Sequence, residues 1–68
     1  MHSIDRTDEV YQFIASYLEK HQRPPTLREI MQALDFSSTS VVDRQLQILE
    51  ELGTISREPF TARGIILL

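Results

Sequence analysis

The chain has 68 residues, room for a single domain spanning 1–68, and a domain this small buries only ~60% of its unfolded surface. It has no cysteine, and its two histidines, His2 and His21, are too few for a zinc site, so no metal and no cofactor is expected. No run approaches the ~20 apolar residues of a membrane span, and Asp5, Arg6, Asp8 and Glu9 break up any apolar signal core, so a cytoplasmic protein held together by packed helices is expected. The net charge of −3 weighs against nucleic acid as a partner, because a basic domain is the usual footprint of a DNA binder.

The first helix is expected to begin near Ser3 or Asp5, either of which can cap it, with Asp5 and Asp8 as a weak capping box. Val10, Phe13, Ile14, Tyr17 and Leu18 follow the i, i+3, i+4, i+7, i+8 spacing of one apolar stripe, and Tyr11 falls outside it. Lys20 and His21 suit the negative end of the helix dipole. Arg23-Pro24-Pro25 ends the helix, because a residue before proline is pushed out of the α region.

Thr26 followed by Glu29 is a Thr-x-x-Glu capping box that opens a second, short helix. Leu27, Ile30, Met31 and Leu34 give its buried side. It should stop at Asp35, a residue that tolerates the left-handed conformation. Phe36 reads as a core anchor for the turn. Ser37 or Ser38 then caps a third helix that runs to about Leu52, with Gly53 as its left-handed terminator. On that helix Val42, Leu46 and Leu49 form one apolar stripe, and Val41, Ile48 and Leu52 form a neighbouring one. Ile55 to Arg57 and Gly64 to Leu67 read as two short strands joined through Pro59, Thr61 and Ala62. The whole is mainly α with a small β-hairpin, the layout of a three-helix winged helix-turn-helix.

Such a motif lays its second helix in the major groove, with N-terminal residues at base edges. Those residues here are Ser38, Thr39, Ser40, Val41, Asp43 and Arg44. Serine and threonine hydroxyls serve several bases, a Val41 methyl suits the thymine methyl, Asp43 accepts from cytosine N4, and Arg44 matches guanine O6 and N7. Thr26, Arg28, Ser37, Arg57 and Arg63 are the candidates for the DNA backbone, the first two at a helix N-terminus that offers free N–H groups to phosphates. Each has a plainer reading: Ser37 to Ser40 as an ordinary cap, Arg28 and Glu29 as a solvated face, Arg57 and Arg63 as hairpin-edge charges. The charge distribution eases the objection from net charge. Asp5, Asp8, Glu9 and Glu19 face only Arg6 in the first helix, whereas between residues 20 and 49 Lys20, Arg23, Arg28 and Arg44 outnumber Glu29, Asp35 and Asp43. Weak non-specific affinity is still expected. Glu50 and Glu51 are adjacent and do not face each other, and there is neither a nucleophile–base pair nor a glycine-rich phosphate loop, so an enzyme is not expected.

These residues resemble a known family, the N-terminal DNA-binding domain of the LexA repressors. The likeness runs nearly end to end: Glu9-Val10-Tyr11 with Phe13-Ile14; Pro24-Pro25-Thr26 with Arg28-Glu29-Ile30, the most specific motif; Phe36 before a serine-rich helix start; Leu46, Leu49, Gly53 and Ile55; and Arg63-Gly64-Ile65 with Leu67-Leu68. The resemblance implies a dimeric repressor of DNA-damage (SOS) response genes that binds palindromic operators and is associated with the nucleoid when on DNA. It implies base reading by Ser38, Ser40, Val41, Asp43 and Arg44. Asp43 and Arg44 replace residues that are often Glu or Gly and His in that family. LexA repressors continue into a self-cleaving Ser-Lys domain that also supplies the dimer, and this chain stops at Leu68, where the family's linker would begin. Either an excised domain or a small protein that borrows the domain fits that end point. The alternative function is a winged-helix protein-interaction module with weak or no DNA binding. Ile48 and Leu52 would then form an apolar patch for a homodimer or protein partner, unless both pack under the hairpin.

Overall fold

The computed structural model describes residues 6–68. Three helices and one hairpin follow in order: α1 (Thr7–His21), α2 (Leu27–Leu34), α3 (Thr39–Glu51), β1 (Ile55–Arg57) and β2 (Ile65–Leu67). This is the expected mainly helical class, with the second strand one residue shorter than expected at its start. Among the described residues, no helix is long and apolar enough to cross a membrane.

One apolar cluster joins all five elements. Val10 and Ile14 of α1, Ile30 of α2, Val42, Leu46 and Leu49 of α3, and Ile55 and Ile65 of the strands are buried. Tyr11, Phe13, Leu27, Met31, Leu34, Phe36 and Leu67 pack against them. Tyr11 thus joins the core from outside the α1 stripe. The main stripes read from the sequence, Val10, Phe13 and Ile14 on α1, Leu27, Ile30, Met31 and Leu34 on α2, and Val42, Leu46 and Leu49 on α3, therefore face the core, as the 3.6-residue period requires, whereas the neighbouring α3 stripe of Val41, Ile48 and Leu52 does not.

The helix ends follow from local chemistry. Ser3 and Asp5, the expected α1 caps, lie outside the described residues; α1 starts at Thr7 with Arg6 in the N-cap position and no side-chain cap. It ends at His21, two residues before Arg23, because Gln22 takes the left-handed conformation at φ 61°. There its N–H donates to the Leu18 carbonyl at 2.8 Å. Thr26 caps α2 with the full reciprocal box: the Glu29 N–H donates to Thr26 Oγ1 at 3.1 Å, and the Thr26 N–H donates to Glu29 Oε1 at 2.9 Å. Asp35 stops α2 in the left-handed conformation at φ 60°, and the Phe36 N–H donates back to the Met31 carbonyl at 3.0 Å. That six-residue closure is a Schellman turn. A second one ends α3: Gly53 stands at φ 80° and the Thr54 N–H donates to the Leu49 carbonyl at 3.1 Å.

Arg6 locks α1 onto the α2–α3 turn. Its Nη2 donates to the Leu34 carbonyl at 2.9 Å, an otherwise orphaned group at the end of α2. Its guanidinium lies 4.2 Å from the Phe36 ring centroid, a cation–π contact. The angle between α2 and α3 is thereby held from outside the motif itself.

The hairpin is antiparallel, with Ile55 opposite Leu67, Ser56 opposite Ile66 and Arg57 opposite Ile65. Side chains alternate along a strand. Ile55, Arg57, Ile65 and Leu67 therefore share the helix-facing side, whereas Ser56 and Ile66 share the outer one. At Gly64, a Cβ would stand 2.6 Å from the Glu58 carbonyl oxygen. Only glycine lets the two limbs of the wing approach this closely.

Candidate nucleic-acid interface

The third helix has two opposite faces. Val42, Gln45, Leu46 and Leu49 are buried, while Ser40, Arg44, Gln47 and Glu51 are exposed. The exposed set recurs at intervals of four, three and four residues, so it forms one stripe pointing away from the core. Asp43 and Glu50 lie on the flank nearer the hairpin, and Val41, Ile48 and Leu52 lie on the other flank. Among the described residues, nothing covers the outward stripe, and the helix N-terminus opens directly from the α2–α3 turn.

The expected base-reading residues do not all share one situation. Ser40 and Arg44 are exposed on the outward stripe. Val41 is half-buried beside Arg6, Asp35, Phe36 and Ser37, around a shallow groove of about 360 Å³ at the turn. Ser38 is the N-cap of α3: its Oγ accepts from the Val41 N–H at 3.3 Å, which leaves its own hydroxyl proton to donate. Thr39 is the first helical residue and is half-buried. Asp43 accepts from Arg57 Nη1 at 2.8 Å, so one carboxylate oxygen is engaged within the domain.

The residues expected at the DNA backbone are divided in the same way. Arg28 is exposed at the start of α2 and Ser37 is exposed in the turn. Among the described residues, neither Arg28 nor Arg44 forms an ion pair. Thr26 uses its hydroxyl oxygen and N–H in the capping box, which leaves the next N–H groups of α2 pointing outward. Arg57 is bound by two carboxylates of α3, Asp43 and Glu50. Arg63 lies between the wing and the start of α2. It donates to Glu29 through Nη1 and Nη2, both at 2.9 Å, and to the Pro24 carbonyl at 2.9 Å. Two parallel hydrogen bonds to one carboxylate are the strong, planar arrangement that arginine favours. They hold the Glu29 carboxyl near 2, with the Thr26 N–H adding to the effect, against an ordinary value of 4.5. Glu29 in turn keeps Arg63 above its usual range.

Three residues of this region escaped the sequence reading. Gln47 lies on the outward stripe one turn beyond Arg44. The i+3 spacing from Arg44 was the signal that identifies it. Gln45, a polar residue, is 1% exposed in the core, and its Oε1 accepts from the Arg6 N–H at 2.8 Å. In the sequence Arg6 stands out only as the one arginine or lysine among residues 1–19. For Gln45 and Arg6 the partner is distant in sequence, so no local pattern points to it. Leu52 is 65% exposed, so it does not pack under the hairpin, whereas Ile48 beside it is half-buried.

Two helices joined by a four-residue turn, the second one with a bare polar stripe, plus a hairpin packed at its side, define a winged helix-turn-helix. Comparison with known proteins narrows the class. The family model for the LexA DNA binding domain matches residues 4–64. The LexA repressor of Anaeromyxobacter dehalogenans (strain 2CP-1) is 50% identical over 62 residues, covering 91% of this chain and 27% of that protein. The LexA repressors of Clostridium tetani and Geobacter metallireducens are 39% and 42% identical over 94% and 91% of this chain. The chain belongs to the LexA DNA-binding domain family. It spans about 27–32% of the length of these relatives.

Proposed function

We propose that this domain is the sequence-specific reader of a LexA-like transcriptional repressor, with α3 in the major groove of duplex DNA. The observation that carries this reading is the outward stripe of α3. Ser40, Arg44 and Gln47 are polar, uncovered and spaced one turn apart, and they begin at a capped N-terminus. Arg44 is suited to guanine O6 and N7, and Gln47 to adenine N6 and N7. Ser38, Thr39 and Val41 stand at the N-terminal edge of that stripe, where hydroxyl and methyl groups meet bases, and Asp43 stands on its wing-side flank. Thr26, Arg28 and Ser37 face the backbone, with the exposed N–H groups of α2 beside them. Arg57 and Arg63 border this surface with positive charge bound into the fold. The repressor would act in the cytoplasm on a palindromic operator and as a dimer, with DNA-damage response genes as its targets.

The second reading, a protein-interaction module, is favoured by one observation: Leu52 is largely exposed next to Ile48 on the flank of α3 away from the wing. One experiment separates the two. The domain is incubated with a pool of randomised duplexes at low and moderate salt, and bound DNA is selected and sequenced. A reader enriches a half-site or palindrome, and its affinity falls steeply with salt as counterions are released. Failure to enrich any motif, with feeble binding even at low salt, rejects the first reading.

A further inference from the structure

We propose that Arg57 acts as an internal counter-charge for the recognition helix, neutralising Asp43 and Glu50 so that an acidic helix can approach the phosphate backbone. This rests on the DNA-reading function proposed above. Between Thr39 and Glu51, α3 carries Asp43, Glu50 and Glu51 against Arg44 alone. A helix of that balance entering a groove between two phosphate strands meets like charge on both sides. Asp43 and Glu50 are seven residues apart, two turns along the same flank, and Arg57 bridges them. Its Nη1 donates to Asp43 Oδ1 at 2.8 Å and its Nε to Glu50 Oε1 at 3.1 Å. Its Nη2 lies 3.0 Å from the same Glu50 oxygen.

The strand register puts Arg57 there. Arg57 shares the helix-facing side of the hairpin with Ile55 and Ile65, so its side chain runs toward α3 instead of outward to solvent or DNA. Its side chain is 25% exposed, against 47% for Asp43 and 35% for Glu50. The guanidinium is thus the more enclosed partner, and the carboxylates form the outer edge. Burial works against the charge on Arg57, but the bonds to Asp43 and Glu50 outweigh it and hold the group cationic. A positive charge supplied from the wing therefore offsets the excess acid of the helix, and the wing is tied to the reading surface by the same contacts. Asp43 is fixed in one orientation with its second oxygen left to face a base.

The sign of a mutational coupling tests this. Affinity for the selected duplex is measured for the domain as it stands, Arg57→Gln, Glu50→Gln, and the double variant. As a counter-charge, Arg57 masks Glu50, so Glu50→Gln should tighten binding more in the Arg57→Gln background than in the parent. Arg57→Gln alone should weaken binding at least tenfold, with threefold or more recovered in the double variant. If Arg57 instead grips a phosphate and Glu50 merely competes for it, Glu50→Gln should help more in the parent, which overturns the proposal. Equal effects in the two backgrounds also overturn it. Arg57→Lys, which keeps the charge without the planar fork, guards against a folding defect in Arg57→Gln. Binding within threefold of the parent supports the proposal, and a loss above tenfold overturns it. Absence of any selected duplex in the parent would instead refute DNA reading itself.

Discussion

Gln45→Leu perturbs the join between α1 and the recognition helix without leaving a large hole. Gln45 is 1% exposed, and its Oε1 accepts from the Arg6 N–H at 2.8 Å, at a helix start that has no side-chain cap. Leucine is close in size, so the packing loss is small, but it cannot accept a hydrogen bond. Leaving the part-buried Arg6 N–H without its acceptor costs at most ~1–3 kcal/mol, offset in part by the better burial of an apolar side chain, which leaves a net loss of about 1–2 kcal/mol. A domain of this length has ~3–10 kcal/mol in total, and each kcal/mol shifts Tm by ~4–8 °C. The expected fall is therefore ~5–15 °C, read by circular dichroism during heating, with faster hydrogen exchange at the Arg6 amide. Leu46→Ala, a pure cavity in the same helix, should cost more, ~2–5 kcal/mol. A Gln45→Leu variant that melts at or above the parent temperature would show that the Arg6 bond is dispensable and that this polar core residue is not a tertiary cap.

Arg44→Ala should relax preference at one base pair and weaken the selected duplex by ~1–3 kcal/mol, measured by competition against single-position variants. Arg28→Ala should weaken all duplexes alike and lower the slope of log affinity against log salt by about one. Gly64→Ala should destabilise the domain by ~1–3 kcal/mol, because the new Cβ meets backbone oxygens of Glu58 at 2.6 Å and Thr61 at 3.1 Å that cannot swing away; an unchanged melt would show that the wing relaxes freely. The Glu29 carboxyl is held near 2 in the fold by Arg63 and then Thr26, below its ordinary 4.5. Its stabilisation is complete above the ordinary value and is lost as pH falls through about 2. The melting temperature should drop on acidification across that window, and Glu29→Gln should flatten the drop.

Local patterns are legible in the sequence because local geometry produces them. The Thr26–Glu29 box, the Ser38 cap, the left-handed Asp35 and Gly53, and the stripe of Val42, Leu46 and Leu49 each depend on residues within a turn or two of each other. The helix-turn-helix, the hairpin and the outward position of Arg44 follow from those elements, and the family likeness rests on the same motifs. What the sequence could not supply were the pairings across long separations. Arg63 meets Glu29 across 34 residues, Gln45 meets Arg6 across 39, and Arg57 meets Asp43 across 14. Charge alone marks Arg57 and Arg63 as surface or phosphate-binding groups. Only the packed hairpin, whose register turns Arg57 toward α3 and brings Arg63 to the start of α2, gives them carboxylate partners. A side chain's chemical identity and period are written in the chain, but its partner is chosen by the surfaces that burial brings together.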